Sequence, residues 1–194
     1  MLLYIHGFNS SPLSEKGRLT ADYVRQHFPS VNFIAPQLPC EPLAAMVLLE
    51  QLTQEALDRG EPLAFAGSSL GGYFASFLAE KYGGPAVLIN PAVRPYELFA
   101  DFIGTQHNPY TGETYQVLAE HQSQLQAFDT QVIRHPERFF VLLQSGDEVL
   151  DYRQALSKYH CCKMRLEAGG DHSFIGYASH LPAICEFLEL PRHN

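Results

Sequence analysis

The chain has 194 residues, of which 46% are hydrophobic and 18% charged, as in an ordinary globular domain and unlike a disordered protein. Its formal net charge of -8 at pH 7, with no cluster of lysine and arginine, argues against a nucleic-acid partner. No apolar run approaches the roughly 18 residues that span a bilayer, and residues 1–5 lack the basic region of a signal peptide, so we expect a soluble, cytoplasmic protein without a membrane span.

Short apolar runs alternate with amphipathic segments along most of the chain, which predicts alternating strands and helices. The predicted strands cover residues 2–5, 31–34, 63–66, 86–89, 139–143 and 163–166. The predicted helices cover residues 15–28, 41–59, 73–82, 152–159 and 177–188. Continuous runs rich in Val, Ile and Leu are typical of strands buried on both faces. This order therefore indicates an α/β fold with a parallel sheet and helices on both of its faces.

Residues 91–136 interrupt this alternation. They contain several aromatic residues and the turn-forming segment Asn108-Pro109-Tyr110-Thr111-Gly112, but no obvious strand. A long insertion between two strands of a compact domain usually has a functional role, often as a lid over a site. We therefore predict a single domain over residues 1–194 with a lid-like insertion at about residues 92–137.

The segment Gly67-Ser68-Ser69-Leu70-Gly71 lies between the third predicted strand and a helix-forming run of small residues. In the Gly-x-Ser-x-Gly motif the serine occupies a sharp, strained turn that exposes its hydroxyl at the sheet edge. Glycine is needed where a side chain would collide with the strand or the helix. Ser69 has glycines at both positions that the motif requires, whereas Ser68 does not. Ser69 is therefore the candidate nucleophile; the alternative is a plain glycine-rich turn that starts a helix.

A serine nucleophile needs a general base, and the base needs a group that orients it. In sheets with this motif the partners follow along the chain as an acid and then a histidine, each just beyond the carboxyl end of a strand. Asp147 is the first carboxylate after the fifth predicted strand, and His172 lies in a glycine-containing loop after the sixth. Asp147 could instead cap the following helix, and Glu148, Asp151 and Asp171 are alternative acids.

The oxyanion of a tetrahedral intermediate needs two backbone N–H donors. Leu70, which follows the candidate nucleophile at the start of a helix, is the first predicted donor. The second is expected from the loop after the first strand, where Gly7 permits close approach of the backbone. Phe8 is the first choice for this donor and Asn9 the second. The alternative is that this loop is an ordinary turn rich in asparagine and serine.

The four cysteines are predicted to be reduced structural residues, because they show neither Cys-x-x-Cys spacing nor a secretory context: Cys40, Cys161, Cys162 and Cys185. The nine histidines include no His-x-x-x-His or His-Glu-x-x-His pattern, so we predict no metal site. Nothing in the sequence implies an organic cofactor.

Five segments carry a likeness to a known family: YIHGFNSSP at residues 4–12, GSSLGGY at 67–73, NPAVRP at 90–95, NPYTG at 108–112 and GDEVLDY at 146–152. With these segments the chain resembles, almost from end to end, the small bacterial esterases of the YqiA type. The resemblance implies a minimal α/β-hydrolase fold with six parallel strands in the order 2-1-3-4-5-6, without the two leading antiparallel strands of larger members. It also implies hydrolysis of carboxylic esters, with Ser69, Asp147 and His172 as a catalytic triad.

The predicted substrate is accordingly a small-molecule acyl ester, while the acyl length and the oligomeric state stay open. The same three residues would also serve an acyl thioesterase of the acyl-CoA type, and a third hypothesis is a binding protein that keeps the fold without catalysis. Asn9 and Arg94 are candidate substrate-binding residues; Arg94 could meet an anionic group or be a solvated loop cation. The aromatic residues of the insertion could line an acyl pocket or form its own small core: Tyr96, Phe99, Phe102, Tyr110 and Tyr115.

Overall fold

The computed structural model describes residues 1–191. Its strands are β1 (Leu2–Ile5), β2 (Phe33–Ile34), β3 (Ala64–Ser68), β4 (Ala86–Ile89), β5 (Gly104–His107), β6 (Thr114–Val117), β7 (Phe139–Gln144) and β8 (Lys163–Glu167). Its α-helices are α1 (Glu15–His27), α2 (Pro42–Asp58), α3 (Leu70–Tyr82), α4 (Pro95–Leu98), α5 (Ala119–Gln126), α6 (Tyr152–Lys158) and α7 (Leu181–Phe187). All predicted strands and helices are found: β1 and β4 have the predicted bounds, and the others have shifted ends. β2 has two residues instead of four, and a 3₁₀ turn at Tyr177–His180 precedes α7. No helix within residues 1–191 is both long and apolar enough to cross a bilayer.

Six of these strands form one parallel sheet in the order β2-β1-β3-β4-β7-β8, which confirms the predicted fold class. The predicted order 2-1-3-4-5-6 describes the same arrangement of the sheet strands; the numbers differ because β5 and β6 intervene along the chain. The neighbouring strands β3, β4, β7 and β8 run in the same direction. The loops that follow them therefore meet at one edge of the sheet, where parallel sheets place their ligand sites.

The sheet is buried on both faces because side chains alternate along each strand. In β1, Leu3 and Ile5 pack into the apolar cluster beneath α2, α3 and α6, whereas Leu2 and Tyr4 pack into the cluster beneath α1 and α7. All four of these residues are buried, and β1 has a neighbouring strand on each side. Full burial of one aliphatic side chain contributes about 1.5–3 kcal/mol, which explains why the central strands are continuous apolar runs.

The insertion contains two strands that the sequence analysis did not predict. β5 and β6 pair as an antiparallel hairpin, and the predicted turn closes it, with the N–H of Tyr110 donating to Oδ1 of Asn108 over 2.9 Å. The two strands read GTQH and TYQV and are about half exposed. A polar two-stranded hairpin has no continuous apolar run, so the expectation of no strand in this segment was wrong.

Gly71→Ala is expected to lower the free energy of unfolding by about 2–3 kcal/mol. A Cβ at this position would overlap the backbone carbonyl oxygens of Ile5 and His6, because α3 begins directly against the end of β1. Urea unfolding would measure the change. Gly60→Ala is the matched control: its φ is +69° and no atom would lie within 4 Å of the new Cβ, so only the backbone penalty of about 1 kcal/mol should appear. If Gly71→Ala and Gly60→Ala lower the free energy of unfolding equally, the close contact of Gly71 with the end of β1 is contradicted.

Candidate active site

Ser69 lies at the turn between β3 and α3 with φ +56° and ψ -120°. Residues other than glycine rarely occupy this region, and such strain is found where the surrounding structure holds a functional side chain in place. The turn can be this sharp because Gly67 and Gly71 lie on either side: a Cβ on Gly67 would overlap the backbone of Gly71. The glycine spacing in the sequence is therefore a steric requirement of the turn.

The structure brings Ser69, Asp147 and His172 together although they lie far apart in the sequence. Nε2 of His172 is 3.1 Å from Oγ of Ser69, and Nδ1 of His172 lies 3.0 and 2.8 Å from the two carboxylate oxygens of Asp147. An ionised carboxylate only accepts hydrogen bonds, so Nδ1 carries the proton and Nε2 presents its lone pair to the serine hydroxyl. The imidazole is therefore oriented to accept a proton from Ser69.

The carboxylate of Asp147 is almost fully buried, with 2% of its side chain exposed. Burial raises the pKa of Asp147, but hydrogen bonds from His172 and from the backbone N–H groups two and three residues later outweigh burial and hold the pKa below its usual value. Asp147 is therefore charged at neutral pH. It does not cap the next helix: Asp151 occupies that position, where it accepts the N–H of Arg153 at the start of α6.

The loop after β1 lies directly against Ser69. A Cβ on Gly7 would be only 3.2 Å from Cβ of Ser69, so the absence of a side chain permits this approach. His6 holds the loop: its Nδ1 is 2.9 Å from the carbonyl oxygen of Gly7, and its Nε2 accepts the N–H of Leu38 over 3.0 Å. Burial lowers the pKa of His6, and the Gly7 carbonyl opposes this only in part. The neutral ring can therefore accept the Leu38 hydrogen bond.

Leu70 and Phe8, the predicted oxyanion donors, lie on the two segments that meet at Ser69. Leu70 is the first residue of α3, where backbone N–H groups have no partner within the helix. Phe8 follows Gly7, and its ring packs edge-on against Phe99 and Phe102 of the insertion, with centroids 5.2 Å away in both cases. Their role as donors stays a prediction.

The side chain of Asn9 is bound to the β5–β6 hairpin. The hydroxyl of Tyr115 donates to Oδ1 of Asn9 over 2.6 Å, and Nδ2 of Asn9 donates to Gln106 at 3.5 Å. Asn9 also has a φ of +49°, a conformation that asparagine tolerates better than most residues. These contacts connect the insertion to the loop after β1, while a direct contact of Asn9 with substrate stays a prediction.

A cleft of about 350 Å³ opens beside Ser69, between the loop after β1, the start of α1 and the loop that carries His172. Lys16 lies in this cleft, and its Nζ donates to the carbonyl oxygen of Ser173 over 2.8 Å. Burial lowers the pKa of the Lys16 ammonium, although nearby carboxylates oppose the effect. Glu148, an alternative acid in the sequence analysis, lines the cleft and accepts the backbone N–H of His172 over 2.9 Å.

Lys16 was missed by the sequence analysis, which considered Arg94 as the cation near substrate. The structure places Arg94 outside this cleft, half-exposed and paired with Glu97 at 3.1 Å, and a contact of Arg94 with substrate stays a prediction. Among the aromatic residues of the insertion, Tyr110 lines the cleft. The others form packing contacts within the insertion and with its neighbours: Tyr96, Phe99, Phe102 and Tyr115.

Metal-ligating side chains are not grouped in the part of the chain that the structure describes: no three His, Cys, Asp or Glu residues there could hold a metal ion together. The four cysteines are free thiols. Burial, supported by neighbouring charges, raises the pKa of Cys40 and of Cys162 to about 11. Both thiols are therefore protonated at neutral pH, which fits structural residues rather than nucleophiles.

Family membership follows from the sequence as a whole. A family model described as "Uncharacterised protein family (UPF0227)" matches residues 1–189. The chain belongs to this family. It is the YqiA family, so the resemblance found in the five sequence segments is confirmed over almost the whole chain.

Solved structures with low sequence identity share the architecture. A protein of Agrobacterium vitis S4 is 18% identical, with a TM-score of 0.75 over 96% of this chain and 87% of that chain. Est1E from Butyrivibrio proteoclasticus, solved with ferulic acid bound, is 15% identical, with a TM-score of 0.71 over 97% and 88%. The Pyrococcus furiosus esterase PF2001 is 12% identical, with a TM-score of 0.66 over 97% and 80%. These similarities show the α/β-hydrolase fold.

Proposed function

We propose that this member of the YqiA family is a serine esterase that hydrolyses small carboxylic esters through an acyl-enzyme. The observation that carries the proposal is the continuous contact from Ser69 through His172 to Asp147, with 3.1 Å between hydroxyl and imidazole. The fold hosts many kinds of chemistry, so the site and not the fold supports the assignment. A protein of similar fold, from Pyrococcus furiosus, is an esterase by name.

In the acylation step Oγ of Ser69 attacks the ester carbonyl carbon while Nε2 of His172 takes the hydroxyl proton. Asp147 keeps the imidazole in the required tautomer and stabilises the imidazolium that forms. The carbonyl oxygen becomes an oxyanion, for which the N–H groups of Leu70 and Phe8 are the proposed donors. The C–O bond then breaks, and His172 gives its proton to the leaving alcohol.

Deacylation repeats these steps with water. His172 takes a proton from a water molecule as its oxygen attacks the acyl carbon, and the resulting oxyanion uses the same N–H donors. The bond to Oγ of Ser69 breaks, the proton returns from His172 to that oxygen, and the carboxylic acid leaves. Because the imidazole must be neutral to accept a proton, activity is expected to fall on acidification.

The cleft beside Ser69 favours compact, polar esters over long alkyl esters. Its volume is about 350 Å³, and its walls carry an ammonium group, that of Lys16, and the carboxylates of Glu15 and Glu148. Tyr4 also lines the cleft, and its buried hydroxyl has no hydrogen-bond partner within residues 1–191. An unpaired buried polar atom costs about 1–3 kcal/mol, which a ligand atom or a water molecule can offset. A short substrate with hydrogen-bonding groups fits this lining.

Labelling by a fluorophosphonate tests the proposed nucleophile directly. The folded protein is expected to form one covalent adduct, which mass spectrometry should place on Ser69, and heat-denatured protein should form none. A label on Ser68 would contradict the assigned register of the motif. Absence of labelling, together with no turnover of any ester, would favour the binding-protein hypothesis.

A panel of matched substrates tests the substrate class. p-Nitrophenyl esters from acetate to palmitate should show the highest kcat/KM for the shortest acyl groups, with a fall of about tenfold or more by the medium-chain members. The matching thioesters have the same acyl groups, and their leaving group carries sulfur in place of the ester oxygen. Comparing the two series therefore separates the esterase from the thioesterase hypothesis. Turnover of the thioesters alone would overturn the esterase proposal while leaving Ser69 as nucleophile.

A further inference from the structure

The loop that carries His172 has no regular secondary structure between Glu167 and Tyr177. Gly169 and Gly170 in this loop have φ values of +76° and +75°, so its path is unlike that of a strand or a helix. Without a ladder of backbone hydrogen bonds, its position must be set by other partners. Besides the contacts of Lys16 and Glu148 described above, two buried amide side chains supply such partners.

The first amide belongs to Asn90, which directly follows β4 and is 2% exposed. Its Nδ2 donates to the carbonyl oxygens of Asp171 and His172, at 3.0 and 3.4 Å. Its Oδ1 accepts the backbone N–H of Gln144 over 3.0 Å. One side chain thus connects the end of β7 to the backbone of the residue that carries the imidazole.

The second amide belongs to Gln144, the last residue of β7, which is 3% exposed. Its Oε1 accepts the N–H groups of Asp171 and Ile175, at 3.2 and 2.9 Å, and its Nε2 donates to the carbonyl oxygen of Ile175 over 2.8 Å. The loop packs so closely here that a Cβ on Gly170 would overlap this amide. The loop is therefore bound on both sides of His172.

We propose that Asn90 and Gln144 are positioning residues for the proposed hydrolysis, which act by holding the imidazole of His172 at hydrogen-bonding distance from Ser69. Neither side chain lines the cleft, so both act through the backbone of the loop. A side-chain amide can donate to a loop carbonyl and accept a backbone N–H at the same time without carrying charge. This inference rests on the proposed function. A displacement of about 1 Å in a reacting group can lower the rate about 100-fold.

Two variants remove the amides with little other change. Asn90→Gly suits a residue whose φ is +40°, because glycine adopts this conformation without strain. Gln144→Met keeps the length of the side chain and removes its polar atoms. With p-nitrophenyl acetate, well below the melting temperature of each variant, kcat is expected to fall about 10–100-fold, with KM within about twofold of wild type.

Thr53→Val is the control for a loss of stability alone. The hydroxyl of Thr53 is fully buried and donates to the carbonyl oxygen of Leu49 within α2, away from the site. This variant should be less stable and keep the wild-type kcat. If Asn90→Gly and Gln144→Met behave like Thr53→Val, with lower melting temperatures but the wild-type kcat, the positioning role is overturned.

Hydrogen exchange of the peptide covering residues 168–176 is the second measurement, and it requires no turnover. Exchange should be faster than wild type in Asn90→Gly and Gln144→Met and unchanged in Thr53→Val. If wild type hydrolyses no ester, the proposed function fails, and this exchange alone decides whether the amides hold the loop. Unchanged exchange overturns the inference. Should Gln144→Met fail to fold, Asn90→Gly alone decides, because the Asn90 amide binds the same loop at Asp171 and His172.

Discussion

Replacing Ser69 with alanine is expected to lower kcat for ester hydrolysis by about 10⁵–10⁶-fold, because no other group can form the acyl-enzyme. Stability should change by less than about 0.5 kcal/mol, since Ala and Ser carry the same Cβ in the strained turn. The change is measured by p-nitrophenyl acetate turnover and by urea unfolding of both proteins. KM should stay within a few-fold of wild type, because the cleft beside Ser69 is unaltered.

Ser30→Ala is the control for this substitution. Ser30 is exposed and precedes β2, at the edge of the sheet opposite to Ser69, so turnover should equal that of wild type. Substantial activity left in Ser69→Ala, above about 1% of wild type, would show that another nucleophile acts. The proposed mechanism would then be wrong, whatever the geometry of the three side chains.

Replacing Asp147 with asparagine is expected to lower kcat about 10⁴-fold. The amide can present an N–H to Nδ1 of His172, which stabilises the tautomer that carries its proton on Nε2. That tautomer cannot take the proton of Ser69, although the ring keeps its place. Stopped-time assays with high enzyme concentration would quantify the remaining turnover.

Asp151→Asn is the matched control, because Asp151 lies close along the chain but caps α6. Asparagine is also a good capping residue, so turnover should stay within about twofold of wild type. Equal losses in the two variants would indicate a general effect of acidic charge and would contradict the assigned role of Asp147.

The carboxylate of Asp147 also affects how the free energy of unfolding depends on pH. The pKa of Asp147 lies below its usual value in the folded protein, so its hydrogen bonds contribute stability at pH values above the unfolded pKa of about 3.9. This contribution is lost as the pH falls through the folded pKa. Asp147→Asn should remove that part of the acid dependence, which urea unfolding between pH 3 and pH 6 would show.

Local patterns were enough to predict the sheet and to mark the candidate nucleophile. The buried strands read as continuous apolar runs because both faces are covered, and Ser69 is marked by two glycines that the turn requires sterically. Asp147 and His172 were predicted from chain order and from their places after strands. The hairpin β5–β6 was missed because it is half-exposed and polar, so neither periodicity nor composition sets it apart from a loop.

Other parts of the site had no local signal. Lys16 reaches the cleft because α1 packs beside the loop that carries His172, whereas Arg94 lies outside the cleft. Asn90 lies in a segment that contributed to the family resemblance, but its contacts with Asp171 and His172 are invisible in the sequence. Those contacts depend on which strands are neighbours in the sheet.

The amino-acid sequence alone was sufficient for the fold class and the family, and it indicated the candidate nucleophile, acid and base through a short motif and their order after the strands. The 3.1 Å contact between Ser69 and His172 joins residues 103 positions apart. Such a distance depends on sheet order, on helix packing and on buried hydrogen bonds from distant strands. Backbone sterics and hydrophobic periodicity act locally, whereas the position of a side chain at a shared edge is a property of the assembled core.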